Sequence, residues 1–358
     1  MSKIVYLMGA GASRGIRTSD APSKYSIYAN SIVEGLPVVN ELPDCFNDMF
    51  NDFSSIIPIE KEYITLDRHT YSSKDAKELF LKDWDWINTE TRRHATIDTF
   101  AKKLYLTGKK NEFQKVKSLL SIFFVVEQIL GKVDSRYDTF LANILNQKLE
   151  IPANIRILTW NYDRQFEFAF REYTDNRFIN SINSSQLGVY DFIGNEIQTK
   201  NWRIYKLNGT ADFRVPLQYD LFEKQLLDAN ILDKILEKYI GSIYYNNQYL
   251  LENRSRLFFA WENQNYSVDF FSKVNQDIKE ADTLIVIGYT FPFFNRETDR
   301  FLFKCMPNLK KIYIQDPNAE HLTKNILPVL SQEQNVLNLG SKITTITNCD
   351  QFFLPPEL

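Results

Sequence analysis

Five short runs of apolar, largely β-branched residues recur along the chain and predict buried strands. They are IVYLM (4–8), IRILTW (155–160), TLIVIG (283–288), KKIYIQ (310–315) and ITTIT (343–347). Each run is nearly all apolar rather than alternating, as strands are when helices cover both faces of their sheet. The pattern therefore predicts an α/β fold with a parallel sheet and helices on both of its faces.

Helical patterns lie between these runs. Residues 111–131 place apolar side chains on one helical face, and residues 219–241 repeat the pattern and end at Gly241. The stretch from about 38 to 150 has many helical signals and no convincing strand, and Pro37 suits the first turn of a helix. We therefore expect a large helical insertion after the first strand.

Composition and charge narrow the class of protein. The 358 residues are 44% hydrophobic and 24% charged, which is ordinary for a globular protein, and the formal net charge is -3. A protein that coats nucleic acid is usually basic, so we expect no direct nucleic-acid binding. The three cysteines form no C-x-x-C pair, which argues against a zinc ribbon and a disulfide framework. No apolar stretch is long enough to span a membrane and no signal peptide is evident, so we expect a cytoplasmic protein.

The first predicted strand runs directly into a glycine-rich turn, GAGAS at 9–13. Gly9 permits a tight turn, and Gly11 lets backbone amides approach a diphosphate with no Cβ in the way. The third glycine of the dinucleotide-binding fingerprint is replaced by Arg14, and a polar stretch replaces the usual second strand with its acidic residue. An ordinary dehydrogenase is therefore not favoured. A glycine turn without a ligand is the alternative interpretation.

Two polar residues follow the second predicted strand, in the sequence TWNYD at 159–163. Asn161 lies at the carboxyl end of the strand, where ligands gather in open α/β sheets. Its amide both donates and accepts hydrogen bonds, which suits a ribose hydroxyl or a catalytic water. Asp163 is suited to cap the helix that follows. A purely structural capping role fits both residues, and we favour that role for Asp163 but not for Asn161.

Five stretches, taken in order, resemble the sirtuin-like domains of bacterial antiphage defence systems. They are GAGAS (9–13) with GLP (35–37), TWNYD (159–163), KLNGT (206–210), VIGYTF (286–291) and IQDPN (314–318). The resemblance implies a Rossmann-like sheet that binds NAD at the carboxyl ends of its strands, with a helical module closing over the cleft. It implies a single domain over 1–358, with the core at about 1–15, 151–215 and 255–358, the module at about 36–150 and a further helical segment at 216–245.

The resemblance also assigns roles to residues of these stretches. It makes Asn161 the catalytic asparagine near the nicotinamide ribose, and Trp261 is expected to pack beneath the ligand. The other residues expected at the cofactor, the first four on the diphosphate side and one or other of the last two near the adenosine ribose, are Gly9, Ala10, Gly11, Ser13, Asp163, Gly288, Thr290, Asp316 and Asn318.

Two departures from the family bear on the chemistry. Deacetylating sirtuins carry a four-cysteine zinc module, which this sequence lacks, so we expect no metal and favour NAD hydrolysis over deacetylation. The family expects K-L-H-G, and this sequence has Asn208 at the histidine position. A carboxamide cannot act as a general base near neutral pH, and loss of such a base typically costs on the order of 10²–10⁴ in rate. Of the three histidines only His94 is a candidate substitute.

Three explanations fit Asn208: a weak or regulated hydrolase, a natural non-catalytic NAD binder, and an engineered substitution that traps the cofactor. Nicotinamide leaves as a neutral molecule, and the dipoles of Asn161 and Asn208 could stabilise the charge that develops on the ribose. We therefore expect an NAD+ glycohydrolase of abortive-infection antiphage defence that releases ADP-ribose and nicotinamide. The alternative is a non-catalytic subunit that binds NAD or ADP-ribose and regulates a defence complex. By analogy with the family we expect a homo-oligomer and a partner such as a HerA-like ATPase.

Overall fold

A computed structural model describes residues 3–15, 35–65, 69–131, 133–174, 186–190, 202–214, 217, 228–243, 254–265, 268–330 and 342–358. The chain divides into two compact units. The first comprises Met1–Ile16, Val133–Gly209 and Phe258–Leu358, and the second comprises Arg17–Lys132 and Thr210–Leu257. Residues 133–150, expected from sequence in the helical module, belong to the first unit, and residues 210–215 and 255–257, expected in the core, belong to the second.

The strands and helices of the described residues follow one another in this order. They are β1 (Ile4–Met8), α1 (Ala10–Ser13), α2 (Leu42–Ser55), β2 (Glu62–Ile64), β3 (Thr70–Ser72), α3 (Ser73–Arg93), α4 (Ile97–Leu106), α5 (Lys110–Leu130), α6 (Ser135–Ile144), β4 (Ile155–Thr159), α7 (Gln165–Arg171), β5 (Val189–Tyr190), β6 (Ile204–Lys206), β7 (Gly209–Phe213), α8 (Ala229–Ile243), β8 (Ser255–Leu257), α9 (Val268–Ile278), β9 (Thr283–Ile287), α10 (Arg296–Lys304), β10 (Lys311–Gln315), α11 (Ala319–Leu330) and β11 (Ile343–Ile346). Short 3₁₀ turns occur at Val39–Glu41, Ala260–Asn265 and Phe293–Asn295.

The first unit is built on a parallel sheet. Among the described residues it has seven strands in the order β11-β10-β9-β1-β4-β6-β5, and each neighbouring pair is parallel. All five strands predicted from the apolar runs are present in it. The prediction of a Rossmann-like α/β fold is therefore confirmed.

Helices cover both faces of this sheet. Successive residues of a strand point to opposite sides, so Leu7 and Val286 pack on the face of α9, α10 and α11, whereas Tyr6 and Ile157 pack on the face of α6 and α7. Burial from both sides is the reason that the strands read as continuous apolar runs. The edge strand β11 differs, because its two central threonines are exposed.

Two strands of the sheet, β5 and β6, are not predicted from apolar runs. β5 has two residues, and β6 has three, one of which is the fully buried Lys206. Segments this short carry no readable periodicity.

The second unit is mostly helical. Its helices α2, α3, α4, α5 and α8 enclose a core rich in aromatic side chains, among them Phe46, Phe53, Phe80, Trp84 and Phe123. The unit also holds the antiparallel hairpin of β2 and β3. The expectation of no strand between about 38 and 150 is therefore wrong for this hairpin, whose three-residue strands contain no apolar run.

Helix α5 confirms the helix predicted within 111–131, but two helix boundaries differ from the sequence expectations. Gly241 lies inside α8, which continues to Ile243. The polar stretch that follows the glycine turn lies largely in residues 16–34, and the start of the second predicted helix lies in 219–227, both outside the described residues.

The start of α2 also differs from the sequence expectation. Pro37 does not begin a helix: a 3₁₀ turn starts at Val39, and α2 starts at Leu42. Pro43 occupies the first turn of α2, where its missing N–H has no helical partner to lose.

Candidate functional site

Five strands of the sheet end in one row. Met8 is aligned with Thr159 on one side and with Ile287 on the other, and Lys206 and Gln315 extend the row by one strand in each direction. The loops that carry the five sequence motifs leave the sheet directly after these residues. The parallel register therefore brings those loops to a single edge, the carboxyl edge of the sheet.

The chain reverses its progress across the sheet between β1 and β9. From β1 it proceeds to the side of β4, β5 and β6, and it then crosses to β9, β10 and β11 on the other side. In open α/β sheets, ligands bind in the crevice at the carboxyl ends of the strands at such a reversal. The GAGAS turn follows β1 and the VIGYTF segment ends β9, so these two motifs flank the crevice.

The glycines of these two motifs allow their turns to touch. A Cβ added to Gly9 would lie 2.7 Å from the Gly288 carbonyl oxygen, and one added to Gly288 would lie 2.3 Å from the Ala12 amide nitrogen. The Gly11 amide donates to the Gly288 carbonyl at 2.9 Å. This packing role is separate from the predicted diphosphate contact, for which Ala10 is the exposed residue of the turn.

Ser13 lies at the centre of a buried hydrogen-bonded cluster. Its side chain is 2% exposed, and its Oγ lies 2.7 Å from the hydroxyl of Tyr137. Asn161 donates from Nδ2 to the same Oγ at 2.8 Å, and a further hydrogen bond joins Ser13 to the Asp163 carboxyl. The serine that was expected on the diphosphate side is therefore turned toward Asn161, and its hydroxyl fixes the orientation of that carboxamide.

Asn161 lies two residues beyond the end of β4, as the sequence predicts. Its residue exposure is 7%, and its backbone amide donates to the Thr159 hydroxyl at 3.1 Å. Because Nδ2 is donated to Ser13, Oδ1 is the side-chain atom that is left to accept a hydrogen bond from a ligand.

Asp163 holds the turn between β4 and α7. Its Oδ1 accepts a hydrogen bond from the Gln165 amide at 3.1 Å, so the carboxyl closes the turn that leads into α7, whose N-cap residue is Arg164 rather than Asp163. Burial raises the pKa of Asp163, while the Lys206 ammonium and the hydrogen bond that the Ser13 hydroxyl donates oppose that rise. The carboxyl is therefore tied to the protein on several sides.

Two buried residues of this cluster are missed by the sequence analysis. Tyr137 comes from α6, and burial raises its pKa well above the ordinary value, so its hydroxyl keeps its proton beside the Ser13 hydroxyl. Lys206 donates from Nζ to the Asp163 carbonyl and forms an ion pair with Glu167 at 3.4 Å. A lysine within a short apolar strand was the signal for the second residue, whereas nothing in the helix pattern separates Tyr137 from a core aromatic residue.

Asn208 lies at the same edge, two residues beyond β6. It is 7% exposed, and Nδ2 donates to the Trp160 carbonyl at 3.3 Å. Its Oδ1 is buried and accepts no hydrogen bond from the residues that the structure describes. A buried acceptor without a donor costs about 1–3 kcal/mol. The position therefore fits a hydrogen-bond donor from a ligand or a water.

The residues expected to line the cofactor cleft, Gly288 and Thr290, and those expected near the adenosine ribose, Asp316 or Asn318, lie on the β9 and β10 half of this edge. Gly288 has a φ of +57°, and Thr290 is exposed, with its carbonyl accepting from Asn325 at 3.3 Å. Asp316 follows β10, and its Oδ1 accepts from the Asn318 amide at 2.8 Å as the chain turns into α11. These two polar residues thus shape the turn as well as lining the edge.

Two further residues singled out in the sequence have local partners. Trp261 stacks on Phe259, with ring centroids 5.3 Å apart. His94 belongs to the second unit, where its Nδ1 lies 2.8 Å from the Glu90 carbonyl oxygen and where it lines a cavity of about 380 Å³. These contacts give no support to His94 as a substitute for the family histidine.

No protein-family model matches this sequence, and no curated protein is significantly similar to it. The resemblance to sirtuin-like domains therefore rests on the five motifs themselves. Within the described ranges, no group of three His, Cys, Asp or Glu side chains is arranged to hold a metal ion. None of the described helices combines the length and the apolar character that a membrane crossing requires.

Proposed function

We propose that the carboxyl edge of the sheet binds NAD+ and that the protein hydrolyses the bond between nicotinamide and ribose. The observation that carries the proposal is the common row of strand ends, which gathers all the motif loops except GLP at the crevice between β1 and β9. Asn161 and Asn208 lie on the β4 and β6 half of that row. Each presents a carboxamide oxygen that receives no hydrogen bond from the described residues and so suits a donor such as a ribose hydroxyl.

The proposed reaction needs no general acid to protonate the leaving group. When the bond from C1′ to the pyridine nitrogen breaks, its electron pair stays on that nitrogen, and nicotinamide departs as a neutral molecule. Positive charge then develops on the ribose, where carboxamide oxygens held in fixed orientation stabilise it. Water adds to C1′ and loses a proton to solvent, which gives ADP-ribose.

In this proposal the buried cluster positions Asn161. The Ser13 hydroxyl accepts a hydrogen bond from the Asn161 side-chain amide, and hydrogen bonds with Asp163 and Tyr137 orient that hydroxyl. Lys206 holds the loop by donating to the Asp163 carbonyl. Side chains that are already ordered lose little entropy when a ligand arrives. The biological role that we propose is depletion of cytoplasmic NAD+ in abortive-infection antiphage defence, by a homo-oligomer with a HerA-like ATPase or another defence protein as its partner.

A direct test measures nicotinamide release from NAD+ by the purified protein and two variants. We expect slow release by the wild type, an increase of about 10²–10⁴ in Asn208→His, because a general base returns, and no release by Asn161→Ala. The matched control is Asn143→Ala, which removes an exposed carboxamide from α6 of the same unit. Absence of release by both the wild type and Asn208→His would refute the hydrolase.

The second candidate function is a non-catalytic NAD or ADP-ribose sensor. The observation that favours it is Asn208 itself, whose carboxamide can form hydrogen bonds with a ligand but cannot take up a proton near neutral pH. Calorimetry together with the nicotinamide assay separates the two functions. Micromolar binding of ADP-ribose, with no nicotinamide release by the wild type or by Asn208→His, supports the sensor. Absence of binding contradicts both functions.

A further inference from the structure

Two arginines of α10 have side chains that the described protein does not neutralise. Arg296 and Arg300 are four residues apart and therefore lie on one side of the helix. The Nε atom of each is buried and has no acceptor among the described residues, and no carboxylate there forms an ion pair with either guanidinium. Buried donors of a cation are normally paired, so this pair of side chains indicates an anion that binds from outside the protein.

The buried carboxyl group on which the Arg296 charge acts, that of Asp299, does not supply that anion. Asp299 is completely buried and accepts hydrogen bonds from the Tyr289 hydroxyl at 2.8 and 3.0 Å. Burial raises the pKa of Asp299 well above its ordinary value, so the group is held toward its neutral form. The Arg296 charge opposes that rise, but no ion pair joins the two side chains within the described residues.

An exposed aromatic ring lies beside these arginines. Phe293 is 73% exposed, and the Arg296 guanidinium lies over its ring, 4.9 Å from the centroid. An exposed phenylalanine of this kind gains from being covered, and a nucleic-acid base is a flat group that stacks well on such a ring.

The backbone holds this ring in place. Phe291 has a φ of +54°, an uncommon conformation for a bulky residue, and its own side chain is buried against Tyr289. The Asn295 amide donates to the Pro292 carbonyl at 3.0 Å and closes the turn that presents Phe293. Strained backbone that the surrounding packing maintains is concentrated at functional sites.

These residues lie at the reversal point of the sheet. The segment leads from the end of β9 into the first turn of α10, so Arg296 is at the carboxyl edge and Arg300 is one helical turn farther on. The N-terminal end of a helix favours anions, and phosphates bind at such ends in α/β folds.

We propose that Phe293, Arg296 and Arg300 form a subsite for an adenine nucleotide, with the base stacked on Phe293 and a phosphate held by the two guanidinium groups. The inference rests on the proposed function, because it places the adenosine end of NAD+ on the β9 and β10 half of the edge. Asn161 and Asn208, on the other half, are then left for the nicotinamide ribose.

The test is calorimetric binding of three probes: ADP, adenosine and inorganic diphosphate. We expect Arg296→Gln/Arg300→Gln to lower the affinity for ADP and for diphosphate at least 10-fold, and to change the affinity for adenosine by less than about 3-fold. Phe293→Ala should lower the affinities for ADP and adenosine by a similar factor and leave the affinity for diphosphate unchanged. Lys304→Gln/Lys310→Gln removes two exposed charges from α10 and the loop after it and is the matched control, which should bind all three probes as the wild type does.

The outcomes distinguish this subsite from the hydrolase. ADP has no nicotinamide, so its binding persists if the hydrolase proposal fails. ADP affinity that is equal in the arginine double variant and the lysine control would overturn the subsite, even with NAD+ hydrolysis intact. Arg296→Lys/Arg300→Lys guards against a folding defect, because it keeps both charges and should retain most of the diphosphate affinity. Wild-type protein that binds none of the three probes would also overturn the subsite.

Discussion

Replacing Gly288 by alanine tests the contact between the two turns that flank the crevice. The new Cβ would lie 2.3 Å from the Ala12 nitrogen and 2.4 Å from the Gly11 carbonyl carbon. Both are backbone atoms of the opposite turn, so neither can move aside as the end of a flexible side chain would. The residue also has a φ of +57°, which an alanine adopts only with strain.

The expected loss of stability has two parts. The left-handed backbone conformation costs about 1–2 kcal/mol for a residue with a Cβ, and forcing extra volume into a tightly packed place costs about 1–3 kcal/mol. Together these give a loss of about 2–5 kcal/mol in the free energy of unfolding. A loss of that size is a large fraction of the stability of an ordinary domain.

Gly108 supplies the matched control. Its φ is +71°, but a Cβ added there would have no atom within 4 Å. Gly108→Ala therefore carries the conformational part alone, about 1–2 kcal/mol. Urea unfolding followed by circular dichroism measures both variants. If Gly288→Ala is no less stable than Gly108→Ala, the two turns are not in contact and the geometry of the crevice is wrong.

Two further predictions concern buried charges of the first unit. Lys206→Met removes the ammonium that lies 3.4 Å from the buried Glu167 carboxylate, so we expect the free energy of unfolding to fall by about 3–5 kcal/mol. The double variant Lys206→Met/Glu167→Gln should largely restore it, and urea unfolding measures both. Burial raises the Asp299 pKa well above 3.8, so the stability linked to its proton is present below that pH and is lost as the pH rises. The stability of Asp299→Asn relative to the wild type should therefore increase by up to about 1.4 kcal/mol per pH unit as the pH rises above 3.8. A stability difference that does not change with pH contradicts the burial.

The sheet could be predicted from sequence where helices cover both of its faces. The runs at 4–8 and 283–288 are apolar throughout, because no position of a central strand meets solvent. β6 escaped prediction since it is short and one of its three residues is a lysine. That lysine is tolerated because Glu167 and the Asp163 carbonyl compensate it, and such partners are visible only after the chain has folded.

The candidate site could be predicted only as far as the ends of the strands. Parallel pairing makes the motif loops meet, so Asn161 and Gly288 lie at the expected edge. The direction of a side chain depends on neighbours that come from elsewhere in the sequence. Ser13 turns inward because Tyr137 arrives from α6 to meet its hydroxyl. The unpaired arginines were missed for a related reason, since charge compensation is a property of the fold and not of the helix that carries them.

The hydrogen bonds of Asn208 indicate which properties would change if histidine, the family's residue, stood at this position. The Trp160 carbonyl accepts from Nδ2 of Asn208, and a neutral imidazole could donate one N–H to the same carbonyl. Its second nitrogen would then take the place of Oδ1 as an acceptor facing the ligand. Asparagine thus keeps the hydrogen-bond pattern of a neutral histidine and loses only its proton affinity. We therefore expect Asn208→His to raise kcat for NAD+ while the Kd for ADP-ribose changes less than about 3-fold. A large change in Kd with kcat unaltered would mean that Asn208 contributes to binding alone.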